Sequence, residues 1–128
     1  MSEDFKFKSL GKIRAKPSKD LETFPAPSGC GHVTMTSDEV TALCPVTGQP
    51  DWYTVTIEYV PDKLCIESKS LKLYLWSFRE EGHFCETLAG IIKNDIVKVI
   101  SPKTCKVTLI QKPRGGISIT AVSDFPEK

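Results

Sequence analysis

The chain has 128 residues, enough for one compact domain of common size but small for enclosing a large buried site by itself. Its 17 Lys and Arg nearly cancel its 16 Asp and Glu, so no strong field draws it to a nucleic-acid polymer or an anionic membrane. The opening MSEDFKFKSLG lacks the apolar core of a secretory signal, and no stretch approaches the ~18 apolar residues of a membrane span. A cytoplasmic chain that meets a small molecule or another protein is the expectation.

Residues 1–28 hold Pro17, Pro25 and Pro27 with little periodicity, and are expected as an extended arm ordered against a neighbouring subunit. The expected boundary is an arm over 1–23 and one domain over 24–128. Gly29-Cys30-Gly31 is a turn, and residues 32–36 suit a short strand. Val40 to Leu43 lead into a loop, residues 44–51, punctuated by Pro45, Gly48 and Pro50. Residues 52–60, rich in β-branched and aromatic side chains, form a strand, and Pro61-Asp62 turns it toward a hairpin partner over 63–68.

From Ser70 the apolar period changes. Leu71, Leu75 and Phe78, then Leu88, Ile91, Ile92, Ile96, Val97 and Ile100, recur at helical spacing. Gly82 divides them into two helices, and Pro102 stops the second. Residues 106–110 and 116–120 are strands around Pro113-Arg114-Gly115. The order β-β-α-α-β-β predicts an α+β fold with helices on one face of an antiparallel sheet.

Five cysteines are scattered singly without a CxxC pair, so neither a zinc knuckle nor a disulfide framework is signalled. Most suit small buried positions, which leaves at least one for chemistry. Cys44 stands in a stiff polar loop before a strand, where a thiol can face a cleft, although many such cysteines are structural. Asp51, seven residues on, can move protons beside that thiol, or simply cap the strand. Glu67-Ser68-Lys69-Ser70-Leu71-Lys72 puts two lysines near a helix start, where cationic side chains and free backbone N–H groups suit a phosphate. The plainer alternative is a solvated lysine face with Glu67 and the serines as caps. A buried Glu86 can accept two hydrogen bonds from a guanine-like edge while Phe84 offers a stacking surface, or Glu86 serves only the helix dipole. Arg114 beside Gly115 and Gly116 suits an anion, or an ordinary hairpin turn.

In order and spacing, Leu43-Cys44-Pro45-Val46-Thr47-Gly48-Gln49-Pro50-Asp51, the octapeptide Glu67 to Tyr74, then Phe78-Arg79, Phe84, Glu86 and Pro113-Arg114-Gly115-Gly116 resemble the 7-cyano-7-deazaguanine reductase family in its short, single-module form. The resemblance covers roughly residues 24–125. It implies the tunnelling fold, assembled into rings, commonly a homodecamer of two stacked pentamers with sites between subunits. It implies NADPH-dependent reduction of the nitrile of 7-cyano-7-deazaguanine to the aminomethyl group, in queuosine biosynthesis, with no metal. Cys44 becomes the nucleophile that forms a thioimide, and Asp51 the proton donor. Glu86, Phe84, Ser68 and Cys85 face the substrate. Lys69, Ser70, Lys72 and Arg114 hold the phosphates of NADPH, consumed twice per turnover.

One position departs from the family pattern, in which a histidine usually precedes the glutamate: here it is Cys85. A pocket-facing Cys85 would be able to pair with Cys44 on oxidation, whereas a packing role is the simpler expectation. Relatives on the same scaffold that transfer ammonia to a nitrile within transfer RNA, and non-catalytic purine binders, are the alternative readings.

Overall fold

The computed structural model describes residues 16–127. The elements in chain order are β1 (Thr23–Pro25), β2 (Val33–Leu43), β3 (Pro50–Val60), β4 (Leu64–Ile66), α1 (Ser68–Trp76), α2 (Cys85–Ile100), β5 (Thr104–Arg114) and β6 (Ile117–Phe125). Four long strands make one antiparallel sheet in the order β2-β3-β5-β6. The β-β-α-α-β-β succession expected from the sequence is its backbone, and the architecture is the tunnelling fold.

Alternation on β3 explains the layering. Asp51, Tyr53, Val55, Ile57 and Tyr59 point to one face and are buried; Trp52, on the other, is half exposed. Against the inner face lies α2, whose Leu88, Ala89, Ile92, Ile96 and Ile100 are at most 1% exposed. Its spacing of three and four is what a helix needs to present one apolar stripe. The helix ends on Ser101, a residue in the left-handed conformation (φ 45°) whose N–H donates to Val97 O, and Pro102 follows as expected.

Several expectations change. The strand expected over 32–36 and the lead-in 40–43 are one strand, β2, interrupted by a bulge between Ser37 and Val40. The bulge resets the alternation, so Val33, Met35, Val40 and Ala42 all pack inward although the sequence phase breaks between them. β3 does not form a hairpin with β4. Its partners are β2 and β5, while β4 pairs with β1 in a separate two-stranded ribbon. Three residues of β4 are too short to follow an eleven-residue strand, and β5 supplies the full-length partner. The described part of the expected arm packs on its own chain: Ser18 N donates to Leu73 O and Glu22 N to Ser70 Oγ. Residues 1–15 of that arm lie outside the described residues. No described helix is long and apolar enough to cross a membrane.

Because Ile96 fills the layer between α2 and the sheet with no exposure, Ile96→Ala is expected to lower unfolding free energy by about 3 kcal/mol. Urea denaturation followed by circular dichroism checks this.

Candidate active site

The site forms at the end of the sheet where the β2–β3 turn, the β5–β6 turn and the start of α2 converge. Cys44 is the first residue beyond β2. Its N–H donates to Gln49 O at 2.7 Å and its carbonyl accepts from Gly48 N at 2.8 Å, which closes residues 44–49 into a tight loop. Gly48 there has φ 73°, a conformation that favours glycine. The loop turns its own polar groups onto the sulfur. The Thr47 hydroxyl first, then backbone groups of Thr47 and Val46, draw the Cys44 thiol down to about 7; partial burial opposes them, and Arg114 adds a smaller downward pull.

Asp51 lies one residue into β3, on its inward face, and is 4% exposed. Thr41 Oγ1 donates to its backbone carbonyl at 2.8 Å, locking the hairpin end. Arg114 Nε approaches Asp51 Oδ1 at 2.9 Å. The approach is off the hydrogen-bond direction, so this buried oxygen is charge-paired but has no hydrogen-bond donor. Arg114 also donates from Nη1 to Gln49 Oε1 at 3.3 Å, so one guanidinium holds the last residue of the thiol loop and Asp51 just beyond it. A second bulge, between Gln111 and Arg114, gives β5 an extra residue and aims Arg114 at Asp51. Arg114 therefore stands beside Cys44 and Asp51, and within one chain it does not share the groove of the lysines.

Segment 81–86 is stitched to the same corner. Leu43 N donates to Glu81 O and His83 N to Leu43 O, and Gly82 bridges to Leu43. Phe84 is 57% exposed and free to stack on a planar ligand. Glu86, in the first turn of α2, is exposed, which corrects the expectation of a buried carboxylate. Cys85 faces inward, 1% exposed, and its thiol donates to Leu109 O at 3.6 Å. Burial pushes that thiol up to about 11. The packing role holds, and Cys85 is withdrawn from the substrate-facing set because its sulfur is spent on the sheet. It and Cys44 are both free thiols. His83 is occupied too: its Nε2 lies 2.9 Å from Glu81 Oε1, within a cluster completed by Lys19.

The lysine octapeptide lies elsewhere. A groove of about 760 Å³ runs between α1 and the middle of β2, lined among others by Ser68, Lys69, Lys72, Trp76, Met35 and Glu39. The lysines suit phosphates and the apolar walls a planar ring, so these residues fit a dinucleotide. The helix N-terminus does not take part as expected. Glu67 caps it, its carboxylate accepting from Lys69 N at 2.9 Å and Ser70 N at 2.7 Å, and those bonds hold it below the usual carboxylate range. Ser70 is likewise removed from the cofactor set. It is 5% exposed, and its hydroxyl donates to Glu67 O while accepting from Glu22 N.

Sequence reasoning passed over Thr47 and Tyr53. Thr47 belongs to a loop already singled out, and only the turn shows its hydroxyl meeting the sulfur. Tyr53 looked like one more aromatic strand residue. Alkylation of Cys44 by iodoacetamide is expected to rise with pH through a midpoint near 7, as the thiolate forms. Thr47→Val removes the leading hydrogen bond, so the midpoint moves up; rate-versus-pH curves for the two proteins check it.

Residues 50–128 match the model of the family described as QueF-like protein. The chain is 49% identical over 125 residues to the NADPH-dependent 7-cyano-7-deazaguanine reductase of Syntrophus aciditrophicus, covering 96% of this chain and 89% of that one. It is also 49% identical over 114 residues to the enzyme of the same name from Alkalilimnicola ehrlichii, covering 88% of each chain. Among solved structures it resembles an archaeosine synthase, QueF-Like, in the apo form, with a TM-score of 0.69 and 21% identity over 73% of this chain and 92% of that one. That likeness shows the fold. Sequence identity, coverage and the family match together place this chain in the QueF-like family, among the NADPH-dependent 7-cyano-7-deazaguanine reductases.

Proposed function

We propose that this chain reduces the nitrile of 7-cyano-7-deazaguanine to the aminomethyl group through a thioimide on Cys44, as a step of queuosine biosynthesis. The observation that carries the mechanism is a thiol held near pKa 7 at the same sheet end as a buried carboxylate, with one arginine reaching both. The names of relatives at 49% identity support the substrate and the nicotinamide.

A nitrile carbon is a poor hydride acceptor, and addition of sulfur makes it a better one. The Cys44 thiolate adds to that carbon, one C–N π bond breaks, and the nitrogen takes the proton that left the thiol, relayed by Asp51. NADPH supplies the hydride, twice per nitrile. After the first reduction the C–S bond breaks and one N–H proton returns to the departing Cys44 sulfur, giving an imine for the second. Asp51 passes a further proton to nitrogen with each reduction, so solvent supplies two protons overall. Until that C–S bond breaks, the tether holds the half-reduced group in the site and away from water. Phe84 stacks on the deazapurine and Glu86 accepts from its pyrimidine edge, with Ser68 a further substrate contact. Lys69 and Lys72 hold the phosphates of the cofactor.

Assembly completes the site. From Ser37, beside the lysine groove, to Cys44 is seven residues, roughly 20 Å of strand. The outer face of the sheet carries exposed Trp52, Ile110 and Val122, and the edge strands β2 and β6 are long. These features support closure of neighbouring sheets into a ring with sites between subunits, and two stacked pentamers are the form the family resemblance implies.

Cys44→Ala is expected to abolish both NADPH oxidation and covalent adduct. Asp51→Asn keeps some adduct but lowers reduction by about 100-fold or more. Absorbance of NADPH and intact mass read the two steps, and two NADPH consumed per nitrile is the expected stoichiometry. Adduct without oxidation would favour the amidinotransferase-like reading instead. Lys69→Ala together with Lys72→Ala is expected to raise KM for NADPH roughly tenfold while kcat changes little, as steady-state kinetics will show.

A further inference from the structure

Two buried side-chain polar atoms among the described residues lack a hydrogen-bond partner: Asp51 Oδ1 and the Tyr53 hydroxyl. They belong to residues two apart on β3, so both side chains leave the same face of the strand. One is an acceptor and the other a donor. Leaving either buried and unpaired is costly, and natural proteins retain few such groups. Tyr53 is fully buried at the base of the site, close enough for the charges of Asp51, Cys85, Cys44 and Arg114 to act on it. Tyr59, four residues further along that face, is the contrast: its hydroxyl accepts from Ile66 N at 3.0 Å and serves the fold alone.

We propose that Tyr53 is a positioning residue for the proton step, its hydroxyl donating to Asp51 Oδ1 when Arg114 turns away toward an anionic ligand. This rests on the reductase reading. The hydrogen bond gives the Tyr53 hydroxyl its missing partner, keeps Asp51 Oδ1 paired once the guanidinium leaves, and holds the other carboxylate oxygen toward the reacting nitrogen. It also resolves a competition for Arg114, which cannot stay on Asp51 and grip a phosphate together. Burial and the neighbouring charges push the Tyr53 hydroxyl well up, so it keeps its proton through the reaction and acts as donor, not as acid.

Tyr53→Phe removes one atom from a packed ring and tests the idea, with Tyr59→Phe as the matched control. Tyr53→Phe is expected to lower kcat by ten- to a hundredfold, with KM for nitrile and NADPH within threefold and Tm unchanged or higher. Tyr59→Phe is expected to show the opposite pattern, a lower Tm with kcat within twofold. Tyr53→Phe turning over within twofold of the parent overturns the proposal. So does a loss of kcat that comes with a fall in Tm and a rise in KM, the mark of a packing residue. If the parent protein itself oxidises no NADPH with the nitrile, the reductase reading falls, and this proposal with it.

Discussion

The contact between Arg114 and Asp51 organises the catalytic end of this molecule. It ties the β5–β6 turn to the start of β3, and through Gln49 it reaches the far side of the loop that carries Cys44. Asp51 is nearly inaccessible, and a lone carboxylate there would be expensive to keep charged. Arg114 is more than a third exposed, so solvent screens the pair and its contribution to stability is modest. Its importance lies in position: one guanidinium fixes where a carboxylate and a thiol stand relative to each other.

The thiol itself needs little from outside its own turn. Thr47 and two backbone groups bring the Cys44 pKa down to about 7, in contrast to Cys85 and Cys105, which burial drives up to about 11. The chain thus presents a reactive sulfur at the β2–β3 turn while the core keeps Cys85 and Cys105 protonated and inert. The lysine groove follows a separate logic. Glu67 spends its charge on the helix start, leaving Lys69 and Lys72 exposed on α1 with side chains that suit phosphate, in a groove apart from the thiol loop within one chain.

Much of this was legible in the residues. The helical period of Leu88, Ile92, Ile96 and Ile100 and the alternation along residues 52–60 are strong local signals, and both elements fall where those signals put them. What was lost depended on distant partners. Two bulges break the phase of β2 and β5, so β2 looked like fragments, and Arg114 looked like a turn residue instead of an arm over Asp51. A three-residue strand such as β4 carries too little pattern to name its partner, and β1 lies forty residues upstream. At the site, the motif pointed to Cys44, Asp51 and the lysines. It said nothing of which side chains face inward, so Ser70 and Glu86 were given the wrong surroundings, while Cys85 packs as its simpler reading had it.

The central claim is that Cys44 forms a covalent thioimide that NADPH then discharges. Mass spectrometry of the intact protein, mixed with 7-cyano-7-deazaguanine and chased with NADPH, tests it most directly. The account predicts a mass gain of one nitrile molecule per chain, mapped to the peptide bearing Cys44, that disappears on the chase as the amine is released. A protein that turns over the nitrile with no adduct on Cys44 at any time, or with the adduct on another cysteine, would contradict it.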